Sequence, residues 1–181
     1  MKKIFKISLF LLFIFSSSIS WSKDFRPYTV YATVVAVLDG DTLKVQEFKT
    51  HNPVYSVRLA GVDAPEKNQE FGPQATQLVK GFVLNKSVKI LVINIDRYNR
   101  KVGYVYFSGK NKHASEICLN NQIVSLGLAW FYYQYSKDPI LKNLEEGARL
   151  MRIGLWIQDD PTPPWIFRKK PRVWLYDFKK L

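Results

Sequence analysis

The 181-residue chain carries 27 Lys+Arg against 15 Asp+Glu, a formal charge of +12. Its length suits one domain, and 47% hydrophobic with 23% charged residues excludes wholesale disorder. The basic surplus points to a polyanionic partner (nucleic acid, an anionic membrane or an acidic polysaccharide) and says nothing about fold. A lone cysteine, Cys118, excludes an intrachain disulfide and a Cys-rich zinc site, and two histidines, His51 and His113, leave little room for His-cluster metal chemistry.

Residues 1–22 have the three zones of a secretory signal peptide: Lys2, Lys3 and Lys6, then the uncharged run Ile7–Phe15, then the small-residue stretch Ser16–Ser22. The apolar run is far shorter than the ~18–20 residues that cross a bilayer. Cleavage is expected near Ser22, with an uncleaved membrane anchor as the less favoured alternative. Cleavage would leave 24 basic against 15 acidic residues, +9 over 159 residues, with no transmembrane span in the mature chain. Cys118 is expected to be buried and inert.

The first strand is expected over Tyr28–Leu38, rich in Val, Tyr and Thr. Asp39-Gly40 is a turn pair, followed by a strand over Thr42–Glu47 with Leu43 and Val45 on one face. Lys49–Pro53 is a polar turn. Val54–Ala60 alternates, with Tyr55, Val57 and Leu59 facing one way and Ser56 and Arg58 the other. Gly72–Lys86 is expected to be helical, with Pro73 in its first turn and Ala75, Leu78, Val79, Phe82 and Val83 as its apolar stripe. Strands follow at Val88–Ile95 and Val102–Phe107, then a turn at Ser108–Lys112 and a short helix at Asn120–Leu126. A last helix spans Pro139–Ile153, its stripe being Leu141, Leu144, Ala148 and Met151, with Gly154 as C-cap.

Five short strands, a helix after the third and helices near the end make a mainly β, α+β domain with about three helices. A five-stranded oligonucleotide-binding (OB) barrel is the leading candidate, because five strands are too few for a sandwich. The domain is expected over residues 23–157. Residues 158–181 are expected to form a Pro-rich linker and a tail in which six basic residues interleave with five aromatics from Trp165 onward. Such a tail either tracks a phosphate backbone and stacks bases or packs on the barrel.

Six of the fifteen acids fall between Asp39 and Glu70. Asp39-Gly40-Asp41 lies at a turn, and Asp63-Ala64-Pro65-Glu66 follows the third strand. Carboxylates from adjacent turns can converge on a hard cation, although Asp-Gly is also a common turn pair in its own right. Arg58 precedes Asp63 by five residues, and Asp96-Arg97-Tyr98-Asn99-Arg100 joins two strands. A cation, a carboxylate base and two guanidiniums suit phosphodiester hydrolysis. Arg donors match the charge that gathers on non-bridging oxygens, and a free carboxylate can take the proton of attacking water. Each arginine taken alone is more commonly a solvated ion pair.

Together DGDT (Asp39–Thr42), RLAGVDAPE (Arg58–Glu66), DRYNR (Asp96–Arg100), GLAW (Gly127–Trp130) and GLW (Gly154–Trp156) resemble the staphylococcal nuclease (thermonuclease) family, in order and near its spacing, over about residues 28–157. The resemblance implies an OB barrel and Ca²⁺-dependent cleavage of DNA and RNA to 3′-phosphate ends. It implies Arg58 and Arg100 as transition-state guanidiniums and Glu66 as general base. It implies Asp41, Asp63 and the Ala64 carbonyl as metal ligands, with Asp39 behind them. Arg97, Tyr98, Tyr133 and Tyr135 match the family's nucleotide pocket, although the last two lie in an aromatic run that core packing also explains. The sequence departs from the family pattern at Asn99, where Gly is usual and Asn tolerates a left-handed backbone. It departs at Ala64, where many members have Thr, and in a longer stretch at Asn111–Leu119. A monomer with no stable protein partner is expected. Two competing readings are a non-catalytic nucleic-acid-binding module on the same fold and a cationic binder of anionic polymers. The first has no need to keep all five of Asp41, Arg58, Asp63, Glu66 and Arg100, and the second leaves the acidic cluster unexplained.

Overall fold

The computed structural model describes residues 25–48, 53–109 and 115–169. The expected signal peptide, most of the Lys49–Pro53 turn, part of the Ser108–Lys112 turn and the tail from Lys170 lie outside the described residues.

Eight strands are present among the described residues: β1 (Tyr28–Val37), β2 (Thr42–Glu47), β3 (Tyr55–Leu59), β4 (Val62–Asp63), β5 (Ser87–Ile95), β6 (Lys101–Ser108), β7 (Glu116–Cys118) and β8 (Trp130–Phe131). The helices are α1 (Gly72–Val83), α2 (Leu119–Ser125), α3 (Pro139–Leu150) and α4 (Pro164–Phe167), with a 3-10 turn at Gly154–Ile157. β1 pairs antiparallel with β2 and β5, β2 with β3, and β5 with β6. β3 then pairs parallel with β6, with Arg58 opposite Val102, and this closes a five-stranded mixed barrel. Closure leaves no free edge among these strands, and the register breaks at Val34/Ala36 and Val92/Asn94 bend β1 and β5 around the barrel. This is the expected OB-type barrel.

Alternation built the interior. Val34, Leu43, Val45, Val57, Leu59, Ile90, Val92 and Val105 all point inward and are buried, and Ala75, Val79 and Val83 of α1 cap them. Buried Asn120 of α2 ties the closure: its Nδ2 donates to the Ala60 and Gly103 carbonyls at 2.9 and 3.2 Å, and its Oδ1 accepts from Val105 N–H at 3.0 Å. Every polar group of that side chain is thereby satisfied inside the core.

Two helices end earlier than the spans expected from sequence, Gly72–Lys86 and Pro139–Ile153. α1 stops at Val83 because Leu84 is extended and Asn85 is left-handed (φ 58°), which turns the chain into β5. α3 stops at Leu150 because Arg152 is left-handed (φ 51°), so Met151 is exposed rather than on the apolar stripe. The chain then crosses the Gly127 corner, where Leu155 N–H donates to the Gly127 carbonyl at 2.7 Å. A Cβ on Gly127 would lie 2.2 Å from the Ile153 carbonyl, and one on Gly154 would lie 2.2 Å from the Gly127 carbonyl. Both also have positive φ, so the two Gly-Leu pairs of the sequence are one backbone crossing.

The stretch read as a linker packs against the barrel. Pro161 and Pro164 are buried, and the Trp165 ring stacks on Tyr132 (5.3 Å, 9° between planes) and meets Trp130 edge-on at 5.5 Å.

Candidate active site

The β1–β2 turn and the β3–β4 corner are stitched together by Asp41. Its own N–H donates to Asp39 Oδ1 at 3.1 Å, the local bond that Asp offers a turn. Its Oδ1 accepts from Thr42 Oγ1 at 2.9 Å and its Oδ2 from Ala64 N–H at 2.7 Å, while its carbonyl accepts from Leu59 N–H at 2.8 Å. The approach is close enough that a Cβ on Gly40 would stand 2.6 Å from the Ala64 Cβ and 2.9 Å from the Ala75 Cβ. Asp41, Asp63 and Ala64 are all buried.

Arg58 pairs with Thr42 across β2 and β3 and lies between inward-facing Val57 and Leu59, so its side chain leaves the barrel on the outer face. It reaches both aspartates. Nη2 donates to Asp63 Oδ1 at 2.7 Å, and Nη1 lies 2.7 Å from Asp41 Oδ2. That second contact is an ion pair without hydrogen-bond alignment, so buried Nη1 has no aligned acceptor.

The carboxyls feel the burial. Asp39 is pushed up to about 6, first by desolvation and then by the charge of Asp41. Desolvation also raises Asp63, against the pull of Arg168 and Arg58.

Arg168 is the unexpected member. Its Nη2 donates to Asp63 Oδ2 at 2.8 Å, and its Nη1 donates to Asp63 Oδ1 at 3.2 Å and to Glu66 Oε1 at 2.7 Å. One guanidinium therefore spans both carboxylates from a position 105 residues beyond Asp63. Glu66 sits in a tight turn: its N–H donates to Gln69 Oε1 at 3.2 Å and its carbonyl accepts from Gln69 N–H at 2.9 Å. Buried Gln69 in turn donates through Nε2 to the Thr162 carbonyl at 2.6 Å. The turn ends at Phe71, a bulky residue held left-handed at φ 65° immediately before α1.

The Asp96–Arg100 turn is a second cluster. Arg100 Nε donates to Asp96 Oδ2 at 2.7 Å, and the Tyr98 and Arg100 N–H groups both reach Asp96 Oδ1. Against its burial, these donors hold the Asp96 carboxyl below its ordinary value. Asn99 is left-handed at φ 59°, the conformation expected of it. Exposed Tyr98 lies beneath Arg97 (4.9 Å) and Arg100 (5.4 Å). Among the described residues no hydrogen bond or ion pair joins Arg97, Tyr98 or Arg100 to Asp41, Arg58 or Asp63. The β3–β6 register nevertheless puts Arg100 two residues before the partner of Arg58, on the same outer side. Tyr133 and Tyr135 are exposed rather than core, Tyr133 edge-on to Trp165 at 5.7 Å and Tyr135 against Tyr132 at 4.7 Å.

The structure thus brings Asp41, Arg58, Asp63, Ala64 and Glu66 together and leaves the Arg100 turn and the two tyrosines beside them as separate groups. Sequence reasoning missed Arg168, Gln69, Trp165 and Tyr132 as neighbours of this site. The basic and aromatic tail reads from sequence either as a contact for phosphates and bases or as packing on the barrel; Trp165 packs, and neither reading pairs Arg168 with carboxylates. The oxygen donors for a hard cation are the Asp41 and Asp63 carboxylates and the Ala64 carbonyl. Among the described residues no group of three or more His, Cys, Asp or Glu is arranged as a metal cluster.

A closed five-stranded barrel with aspartates and guanidiniums gathered at adjacent corners is an OB-type barrel carrying a built charged site. The family described as "Staphylococcal nuclease homologue" matches residues 56–158. A protein named "Uncharacterized endonuclease" from Escherichia coli O157:H7 is 39% identical over 142 residues, 78% of this chain and 86% of that protein. A protein of the same name from Haemophilus influenzae is 35% identical over 172 residues, 95% of this chain and 88% of that protein. The "Micrococcal nuclease" of Shigella flexneri is 35% identical over 156 residues, 83% of each chain. The chain belongs to the staphylococcal nuclease family.

Proposed function

We propose that this chain is a secreted, Ca²⁺-dependent nuclease that hydrolyses phosphodiester bonds of DNA and RNA and leaves 3′-phosphate ends. The observation that carries the reading is the meeting of Arg58, Asp41, Asp63 and Glu66 within the span of two guanidiniums. The names of the relatives support the reaction class, and the basic, apolar and small zones of residues 1–22 support export.

The donor set fits a hard dication: every donor is oxygen, and Asp41, Asp63 and Glu66 together carry one more formal negative charge than Arg58 and Arg168 balance. Asp41, Asp63 and the Ala64 carbonyl would hold it, and when bound it supplies fixed positive charge beside the scissile phosphate. Glu66, partly exposed on its turn, takes a proton from the attacking water. Arg58 offers its unaligned Nη1 N–H to a non-bridging oxygen that gains charge in the transition state. Arg100 does the same from the neighbouring turn once it exchanges Asp96 for phosphate. Attack in line with the 5′ oxygen expels that oxygen and leaves the phosphate on the 3′ side. Tyr133, Tyr135, Tyr98 and Arg97 flank the site as surfaces for base and phosphate.

The competing reading, a non-catalytic binding module, is favoured by one feature: Arg100 is committed to Asp96. Digestion of single- and double-stranded DNA and RNA, with and without Ca²⁺ and with end-group analysis, separates the two. Binding without cleavage in millimolar Ca²⁺ would establish the module.

A further inference from the structure

The Arg168 guanidinium sits on the oxygens that a cation at Asp63 would need. It takes both Asp63 oxygens and one oxygen of Glu66, at 2.7 to 3.2 Å. A bidentate guanidinium matches a carboxylate in shape and charge, and it is the one side chain among the described residues, besides Arg58, that neutralises Asp63. The geometry points to Arg168 as a built-in stand-in for the cation: the docked tail occupies the Asp63–Glu66 pair when no metal is bound, and Ca²⁺ must displace it. This inference rests on the proposed cation site at Asp41 and Asp63.

Two features suit a reversible plug. The anchor is firm and lies upstream of the arginine: Trp165 is held by Trp130, Tyr132 and Tyr133, and the Thr162 carbonyl is held by Gln69. The plug itself is loose. Arg168 is 41% exposed whereas the Asp63 side chain is fully buried, so the guanidinium can swing into solvent without unpacking the tail. The swing would free Glu66 as well as Asp63, so the group expected to act as base and the group expected to hold the cation are released by the same motion. Gln69 couples the two ends, because it hydrogen-bonds both the Glu66 backbone and Thr162.

Competition of this kind weakens apparent affinity by the fraction of molecules whose site is open. A tail docked in ~90% of molecules weakens cation binding ~10-fold. Isothermal titration calorimetry of the full chain with CaCl₂ alone tests this, comparing the wild type with Arg168→Ala and Arg168→Gln, each checked by circular dichroism. Both variants are expected to bind Ca²⁺ at least ~10-fold more tightly than wild type. In chelator, their thermal midpoints should fall below that of wild type, with a larger upward shift on adding Ca²⁺. Ca²⁺ binding of equal or lower affinity in the folded variants would overturn the plug and leave the cation site standing. If that result came with a loss of turnover, Arg168 would instead be a substrate arginine. Absence of Ca²⁺ binding in wild type and variants alike would overturn the cation site and the plug with it.

Discussion

Arg58 and Asp63 are five residues apart in the chain and meet through a 2.7 Å hydrogen bond, Nη2 to Oδ1, with the Asp63 side chain wholly buried. The corner between β3 and β4 makes this possible by folding β4 back so that Asp63 pairs with Trp130 of β8 while Arg58 stays on the outer face of the barrel. The pair is structural and, on the proposed mechanism, functional at once.

Replacing Arg58 therefore has two separable effects. Arg58→Ala takes one partner from buried Asp63, which keeps Arg168, so the loss of stability should stay below the ~3–5 kcal/mol of a buried charge left with no partner. Loss of a transition-state donor costs a further ~10²–10³-fold in rate. Arg100→Ala is the cleaner test, because Arg100 is 30% exposed and, among the described residues, its one ion pair is with Asp96. It should lose at least ~10²-fold in kcat/KM with little change in thermal midpoint. Near-wild-type cleavage by either folded variant would remove that arginine from the mechanism.

Chelation should silence the enzyme. Extracellular calcium modules commonly bind at ~10⁻⁴–10⁻³ M, so activity lost in EGTA should return at millimolar Ca²⁺. Cleavage at full rate in excess EGTA would reject the cation reading.

Asn120 should matter for stability and not for chemistry. Asn120→Ala strands the Ala60 carbonyl and the Val105 N–H in a dry core and takes one of two donors from the Gly103 carbonyl. Unsatisfied groups cost ~1–3 kcal/mol each, although the Ala60 N–H to Gly103 bond (2.8 Å) still joins the strands. A loss of ~3 kcal/mol, or ~6–12 °C in melting midpoint by calorimetry, is expected, with kcat/KM retained at temperatures where the variant is folded.

Trp165 should hold the tail on the barrel. It is half-buried among Trp130, Tyr132 and Tyr133, so Trp165→Ala should cost less than the ~3–5 kcal/mol of a fully buried Trp. Limited proteolysis should then cut near residues 158–169 faster than in wild type. An unchanged cleavage pattern would place the anchor elsewhere.

The Asp39 carboxyl makes the metal-free protein sensitive to pH. Its pKa in the folded chain, about 6, lies above its ordinary value, so between the two the folded protein holds more proton than the unfolded one. The contribution is complete below about pH 4 and is lost as pH rises through about 6, by at most ~3 kcal/mol. Chemical denaturation in EDTA should show stability falling across that window, and Asp39→Asn should flatten the slope.

Much of the barrel could be read from local pattern. Val57 and Leu59 alternate with Ser56 and Arg58, and the structure buries the first pair and turns Arg58 outward. The stripe of α1 is buried at Ala75, Val79 and Val83 as its spacing predicts. Helix ends were harder: the expected spans run to Lys86 and Ile153, while left-handed Asn85 and Arg152 end the helices sooner. The short strands β4, β7 and β8 have too few residues to show any period.

The same division holds at the site. Asp41, Arg58, Asp63 and Glu66 stand close in the chain, on β3 and on two corners that adjacent strands must bring together, so their residue types and spacing announce a polar centre. Nothing local singles out Arg168 among 27 cationic residues. Its place depends on Trp165 finding Tyr132 and on Thr162 finding Gln69, contacts between segments that the sequence keeps tens of residues apart. Alternation, turn chemistry and helical spacing are short-range and were enough for the barrel and its acids. Which cation lies against those acids is a long-range packing outcome, and it exists only once the chain has closed on itself.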